Sequence, residues 1–202
     1  MKYTIKIILI ITFCFNLTKT LAQVNDWVLK KDKQGVEVYT REDKLTGLIE
    51  FKATTIFQAS IDTILNVFRN VEGYSEWMAD TKISLTLKQI NEFESYIYFE
   101  AQVPWPLENR DILLYQKIKK TDDETIISLT GKPDYIPKKK GITRIEKASG
   151  SWEFITLPRN KVKVTYTFLA DPGLNIPKWI INLFIVDGPS KTLLNLKEIV
   201  ED

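Results

Sequence analysis

Two neighbouring stretches of this 202-residue chain carry residues of types that could do chemistry. In R-D-I-L-L-Y-Q-K-I-K-K (110–120), period-2 alternation puts Arg110, Ile112, Leu114, Gln116 and Ile118 on one strand face. Asp111, Leu113, Tyr115, Lys117 and Lys119 take the other. A charge left unpaired on a largely apolar face costs several kcal/mol. Arg110 therefore snorkels from a strand end, pairs with a loop carboxylate, or stands at the wall of an apolar cavity and orients a mostly apolar ligand. The preceding stretch, 93–103, sets Tyr96, Tyr98, Glu100 and Gln102 against Ile97, Phe99, Ala101 and Val103. Tyr98 and Glu100 could sort a ligand's polar end beside Arg110 and Gln116. They could also serve as base and acid, were burial to raise the carboxyl pKa.

Composition narrows the chemistry. The chain has no histidine, which excludes Ser-His-Asp and Cys-His catalysis and the commonest zinc ligand. Its one cysteine, Cys14, lies in the apolar run Ile7–Leu17, which follows a short basic start. A run of eleven residues falls well short of the ~20 that cross a bilayer. With Thr20-Leu21-Ala22 placing small residues at −3 and −1, residues 1–22 read as a secretory signal peptide cut near Ala22–Gln23. A retained anchor is the alternative; Phe13 before Cys14 is too bulky for a lipoprotein signal. Cleavage leaves residues 23–202 as one secreted or periplasmic domain without cysteine, hence without disulfides. Lys2, Lys6 and Lys19 leave with the leader, so 28 basic residues become 25 against 26 acidic ones, a net of about −1. No global charge argues for nucleic acid. An oxygen-only metal site remains open, but no Asp/Asn/Gly loop has calcium spacing.

The elements that must position these residues follow in order. Asn25-Asp26 predicts a cap for a helical turn over Trp27–Leu29, and residues 35–42 and 48–57 a hairpin. Ser60 caps a helix with the stripe Ile61, Ile64, Leu65, Val67 and Phe68. G-Y-S-E-W-M (73–78) predicts a short helix whose Tyr74 and Trp77 belong to the core or to a cavity wall. Six strands follow at 81–90, 93–103, 110–120, 124–131, 142–157 and 161–170, with a bulge or bend at Gly150. Pro104-Trp105-Pro106 forces a break before the third. Asn175 caps a C-terminal helix that is apolar almost all round through Val186, and Gly188-Pro189 should kink or break it. The whole reads as an α+β architecture, an antiparallel sheet with a long helix across one face.

These pieces together resemble the START domain family, lipid-transfer modules related to the steroidogenic acute regulatory protein. The resemblance rests on W-V-L-K-K-D-K-Q-G-V-E-V-Y-T-R (27–41), G-Y-S-E-W (73–77) and P-W-P-L-E-N-R-D (104–111). Gly141 with Arg144, G-S-W (150–152), Asp171-Pro172-Gly173 and I-P-K-W-I-I-N (176–182) complete it. It implies a helix-grip fold: a curved antiparallel sheet wrapped around a long C-terminal helix, enclosing a hydrophobic cavity for one lipid. It implies no general catalytic activity and no cofactor. Arg110-Asp111 matches the family's Arg-Asp pair, and Ile176–Asn182 the start of its gating helix. Sterol carriers of the family hold an arginine six residues after that pair's arginine; here the position is Gln116, a neutral donor and acceptor, and the lipid is left open.

The expected cavity lining is Trp77, Tyr98 and Glu100, then Arg110, Ile112, Leu114 and Gln116. Trp152, Tyr166 and Phe168 join from later strands, and Trp179, Ile180, Leu183 and Phe184 from the helix. The expected function is binding, with transfer, of a single lipid by a monomer that touches membranes transiently. Two alternatives stand beside it: a cyclase-like or hydrolase-like enzyme on a related scaffold, and a protein-binding adaptor with a filled core.

Overall fold

The computed structural model describes residues 26–173 and 176–202; the leader with its cleavage point, and the caps expected at Asn25 and Asn175, lie outside them. The described chain opens with strand β1 (Val28–Lys33), where a helical turn was expected. Gln34 and Gly35 both have positive φ (52° and 77°), a tight turn that folds β1 back on β2 (Val36–Glu42). Pairing along β2 thus overrides the local capping signal at Asp26. β3 (Ile49–Phe57) pairs with β2 as expected, and Val36, Val38 and Thr40 face inward.

Helix α1 (Ile61–Arg69) starts where Ser60 Oγ accepts the Thr63 N–H at 3.1 Å, and it buries Ile64, Leu65 and Phe68. A 3₁₀ turn (Val71–Gly73) leads into the single turn α2 (Tyr74–Trp77). Then come β4 (Thr81–Asn91), β5 (Glu94–Ala101), β6 (Asn109–Lys120) and β7 (Glu124–Gly131). The strand expected over 142–157 is two. β7 leaves the edge of β6 where Gly131 faces Leu114, and β8 (Ile142–Arg144) takes over that edge, parallel, opposite residues 109–111. β9 (Ala148–Leu157) and β10 (Lys161–Ala170) complete the sheet. Gly150 stays in register with Phe168 and Leu129, so it marks no bulge. A Cβ there would strike the Phe168 ring and the Thr167 carbonyl, and close approach explains the glycine.

Among the described residues the strands form one curved ten-stranded sheet, ordered β1-β2-β3-β10-β9-β7-β6-β5-β4. The C-terminal segment is helical from Lys178: α3 (Lys178–Asn182), a π turn (Leu183–Asp187) and α4 (Gly188–Glu201). Gly188-Pro189 does not break the path. Proline lacks the N–H for the α ladder and crowds the carbonyl four residues back, and the helix widens just before it. α4 lies against β2, β3 and α1, burying Leu193, Leu196 and Val200. One end of the sheet's inner face is thereby filled with an aromatic core in which Phe68 meets Trp77, Trp152 and Phe154 at centroid distances of 5.0–5.4 Å.

Candidate functional site

The other end of the inner face is not filled. An internal volume of about 350 Å³ lies between the sheet and α3, the π turn and the start of α4. That is within the range of sites for small organic ligands. The inward faces of β5 (Ile97, Phe99, Ala101) and β6 (Arg110, Ile112, Leu114, Gln116) form one wall. Trp152, Tyr166 and Phe168 form another, with Tyr166 stacked on Trp152 at 3.8 Å between centroids. Ile181, Phe184 and Ile185 close it from the helix, and Gly47–Ile49, Pro172 and Ile176 from two loops. Burial raises the Tyr166 phenol well above its usual pKa, so it is neutral across the physiological range.

Within this apolar lining the polar groups are few. Arg110 and Asp80 are its only charged members among the described residues. Arg110 gives one guanidinium N–H to the Glu108 carbonyl, while its Nε is buried without a partner. Neither a loop carboxylate nor open water claims that nitrogen. Asp80 sits at φ 58°, a left-handed position that aspartate tolerates better than most residues. Burial lifts its pKa above the usual value; the nearby Lys191 opposes this and Asp187 adds to it. Gln116 is only 6% exposed and faces the cavity.

Eight of the expected lining residues are thus brought together: Arg110, Ile112, Leu114, Gln116, Trp152, Tyr166, Phe168 and Phe184. Six are placed elsewhere. Tyr98 and Glu100 alternate with the lining residues of β5 and fall on the sheet's outer face. There Glu100 accepts from Lys82 at 2.9 Å and Asn109 at 2.7 Å, and Lys139 sits 4.2 Å over the Tyr98 ring. Burial alone would raise the Glu100 pKa, but these two donors outweigh it and hold the carboxyl below its usual value, the opposite of a poised general acid. Trp77 belongs to the aromatic core. Ile180 is buried away from the cavity, and Leu183 borders an adjoining, more open pocket with Pro104 and Gln102. Trp179 is 60% exposed. Their helical spacing turns them off the face that Ile181, Phe184 and Ile185 present.

The sequence reading missed two features. Asp111, on the outer face, is held by Arg144 in a two-pronged pair (Nε–Oδ1 2.7 Å, Nη2–Oδ2 2.9 Å), both side chains 1% exposed. Arg144 also donates to the carbonyls of Pro133, Ile136 and Pro137, fastening the β7–β8 connection to the sheet. Asp80, the cavity's carboxylate, was not singled out either; its signal was an acidic residue ending an aromatic turn, which a loop explains equally well.

The START domain profile matches residues 14–200 of the chain. An uncharacterized protein of Pseudomonas aeruginosa is 33% identical, with 89% of each chain covered. Human phosphatidylcholine transfer protein is 24% identical over 87% of this chain and 84% of its own length. A solved STAR-related lipid transfer protein fragment from Xanthomonas axonopodis superposes with a TM-score of 0.79 at 33% identity, covering 88% of this chain and 100% of that one.

Proposed function

The chain belongs to the START domain family, and from that premise we propose that it holds one lipid at a time in this cavity and carries it between membranes. The observation that carries the reading is the cavity itself, roomy and apolar with a few polar groups on its walls. Each methylene buried there contributes about 0.8 kcal/mol, so a long alkyl chain supplies most of the affinity. The lipid-transfer names of two of its relatives support the same class of ligand. The catalytic alternative rested on Tyr98 and Glu100, which face away from the cavity, and the adaptor alternative on a filled core. Neither gains support from the arrangement of the site.

Release requires the helix cover to move, and we assign that motion to the π turn, where the regular α ladder of the cover is interrupted. Three exposed apolar side chains adjoin these pockets: Leu45 lies beside the cavity-lining Gly47–Ile49, while Trp105 and Trp179 lie near Pro104 and Leu183, which line the adjoining pocket. We assign them to transient membrane contact by an exported monomer, secreted or periplasmic after loss of residues 1–22. Transfer of fluorescent phosphatidylcholine between vesicles tests this. Acceleration by the protein, slowed several-fold in a Trp105→Ala/Trp179→Ala variant with unchanged melting temperature, is expected. An unaltered rate in that variant would remove the two tryptophans from membrane contact. No acceleration with any lipid would remove transfer.

A further inference from the structure

The polar groups of the cavity are sorted along its length. Arg110 and Asp80 mark one end, because Thr81, Ala101 and Arg110 stand in register across β4, β5 and β6. That end carries all the cavity's charge among the described residues. Gln116 stands six residues further along β6, on the same face, at about 3.3 Å per residue. The two side chains are therefore rooted about 20 Å apart, the length of an extended long-chain acyl group.

The Gln116 end is neutral but not apolar. Directly opposite Gln116 are Ser95 on β5 and Leu129 on β7, and opposed residues of an antiparallel pair share a face. Ser95 is 4% exposed and Gln116 6%. The Gln116 amide, with two N–H donors and a carbonyl acceptor, is open to the cavity and is not among the sealed, unpartnered side-chain atoms of the described residues, which are Tyr98 Oη, Arg110 Nε and Ser190 Oγ. On the outer face Asp111, Arg144, Glu100 and Asn109 are partnered within the protein, whereas the amide of Gln116 is left to the cavity. A plain methyl terminus placed against it would leave the amide unsatisfied in an apolar wall, which binding disfavours.

We infer that this cavity selects a long-chain amphiphile polar at both ends: an acidic oxygen received by the unpartnered Arg110 Nε at the end that Asp80 shares, and about 20 Å away a neutral hydroxyl or amide hydrogen-bonded to Gln116. Gln116 is then the residue that distinguishes such a ligand from an ordinary fatty chain of equal length. The inference rests on the lipid-binding reading above and names the chemistry of its ligand.

The test compares affinities of the purified protein for hexadecanoate and 16-hydroxyhexadecanoate, which differ only in the terminal hydroxyl. One satisfied neutral hydrogen bond corresponds to a preference of about tenfold for the hydroxylated acid. Gln116→Met, matched in length, and Gln116→Leu are expected to bring the ratio of the two affinities to about one. Melting curves and circular dichroism confirm that each variant is folded, and either one suffices. Equal affinities in the unaltered protein would mean that water satisfies the amide, and would overturn the inference. A preference that survives both substitutions would overturn the role of Gln116. If neither acid binds while another lipid co-purifies, this inference fails and the carrier reading stands. If nothing binds or co-purifies, the carrier reading fails and this inference with it.

Discussion

At the scale of single residues, the cavity keeps two charged groups where water is scarce, and each has a measurable consequence. Asp80 has its folded-state pKa raised above the usual value chiefly by burial. The sign follows from linkage: ionising the carboxylate costs more in the folded chain, so the penalty is full at neutral pH and absent below the ordinary carboxylate range. Asp80→Asn keeps a residue that accepts the left-handed backbone at φ 58°. The variant is expected to be more stable than the parent in urea at pH 7. The two should converge near about pH 3, below the ordinary aspartate value. A gain that persists unchanged at the lower pH would show that charge is not its source. Glu100 behaves oppositely. Its lowered pKa adds stability above the ordinary carboxylate range, and that stability is lost as pH falls through the folded-state value.

At the scale of elements, the β7–β8 connection is held from one point. Arg144 binds Asp111 through two hydrogen bonds and three loop carbonyls besides, in a site with no access to water. Removing one partner leaves the other charge buried and uncompensated. Arg144→Met is expected to cost about 3–5 kcal/mol in urea unfolding, whereas an exposed pair such as Lys138–Glu146 contributes at most about 1 kcal/mol. A loss below about 1 kcal/mol would contradict the assigned role of the pair. This pair shows where sequence reading stops. Alternation correctly placed Asp111 on the face opposite Arg110. Its partner lies 33 residues on, on a three-residue strand whose parallel pairing no local periodicity announces. Ser60 and the α1 stripe were legible because a cap and a 3.6-residue repeat are local. β1 was misread because its partner β2, not its own composition, decides its form.

At the scale of the whole molecule, the helix-grip architecture follows from how two apolar surfaces divide the work. The inner sheet face is filled at one end by α1, α2 and α4 around Phe68 and Trp152, and at the other it is covered across a gap by α3, the π turn, the start of α4 and two loops. Period-2 alternation grouped the cavity-facing residues of β6, whereas the unusually apolar C-terminal helix was compatible with a covered core helix, a greasy cavity beneath it or a membrane. The same alternation, applied to β5, gave two faces but not which one turns inward, so Tyr98 and Glu100 were expected inside and lie outside. Curvature and the volume left unfilled depend on how distant side chains pack, which no window of sequence contains. The central claim is that this volume holds a lipid. Native mass spectrometry of the protein, purified without detergent and followed by organic extraction, tests it most directly. A one-to-one adduct whose mass matches an extracted lipid is expected. A protein that arrives empty, and stays empty after incubation with a mixed lipid panel, would contradict the claim.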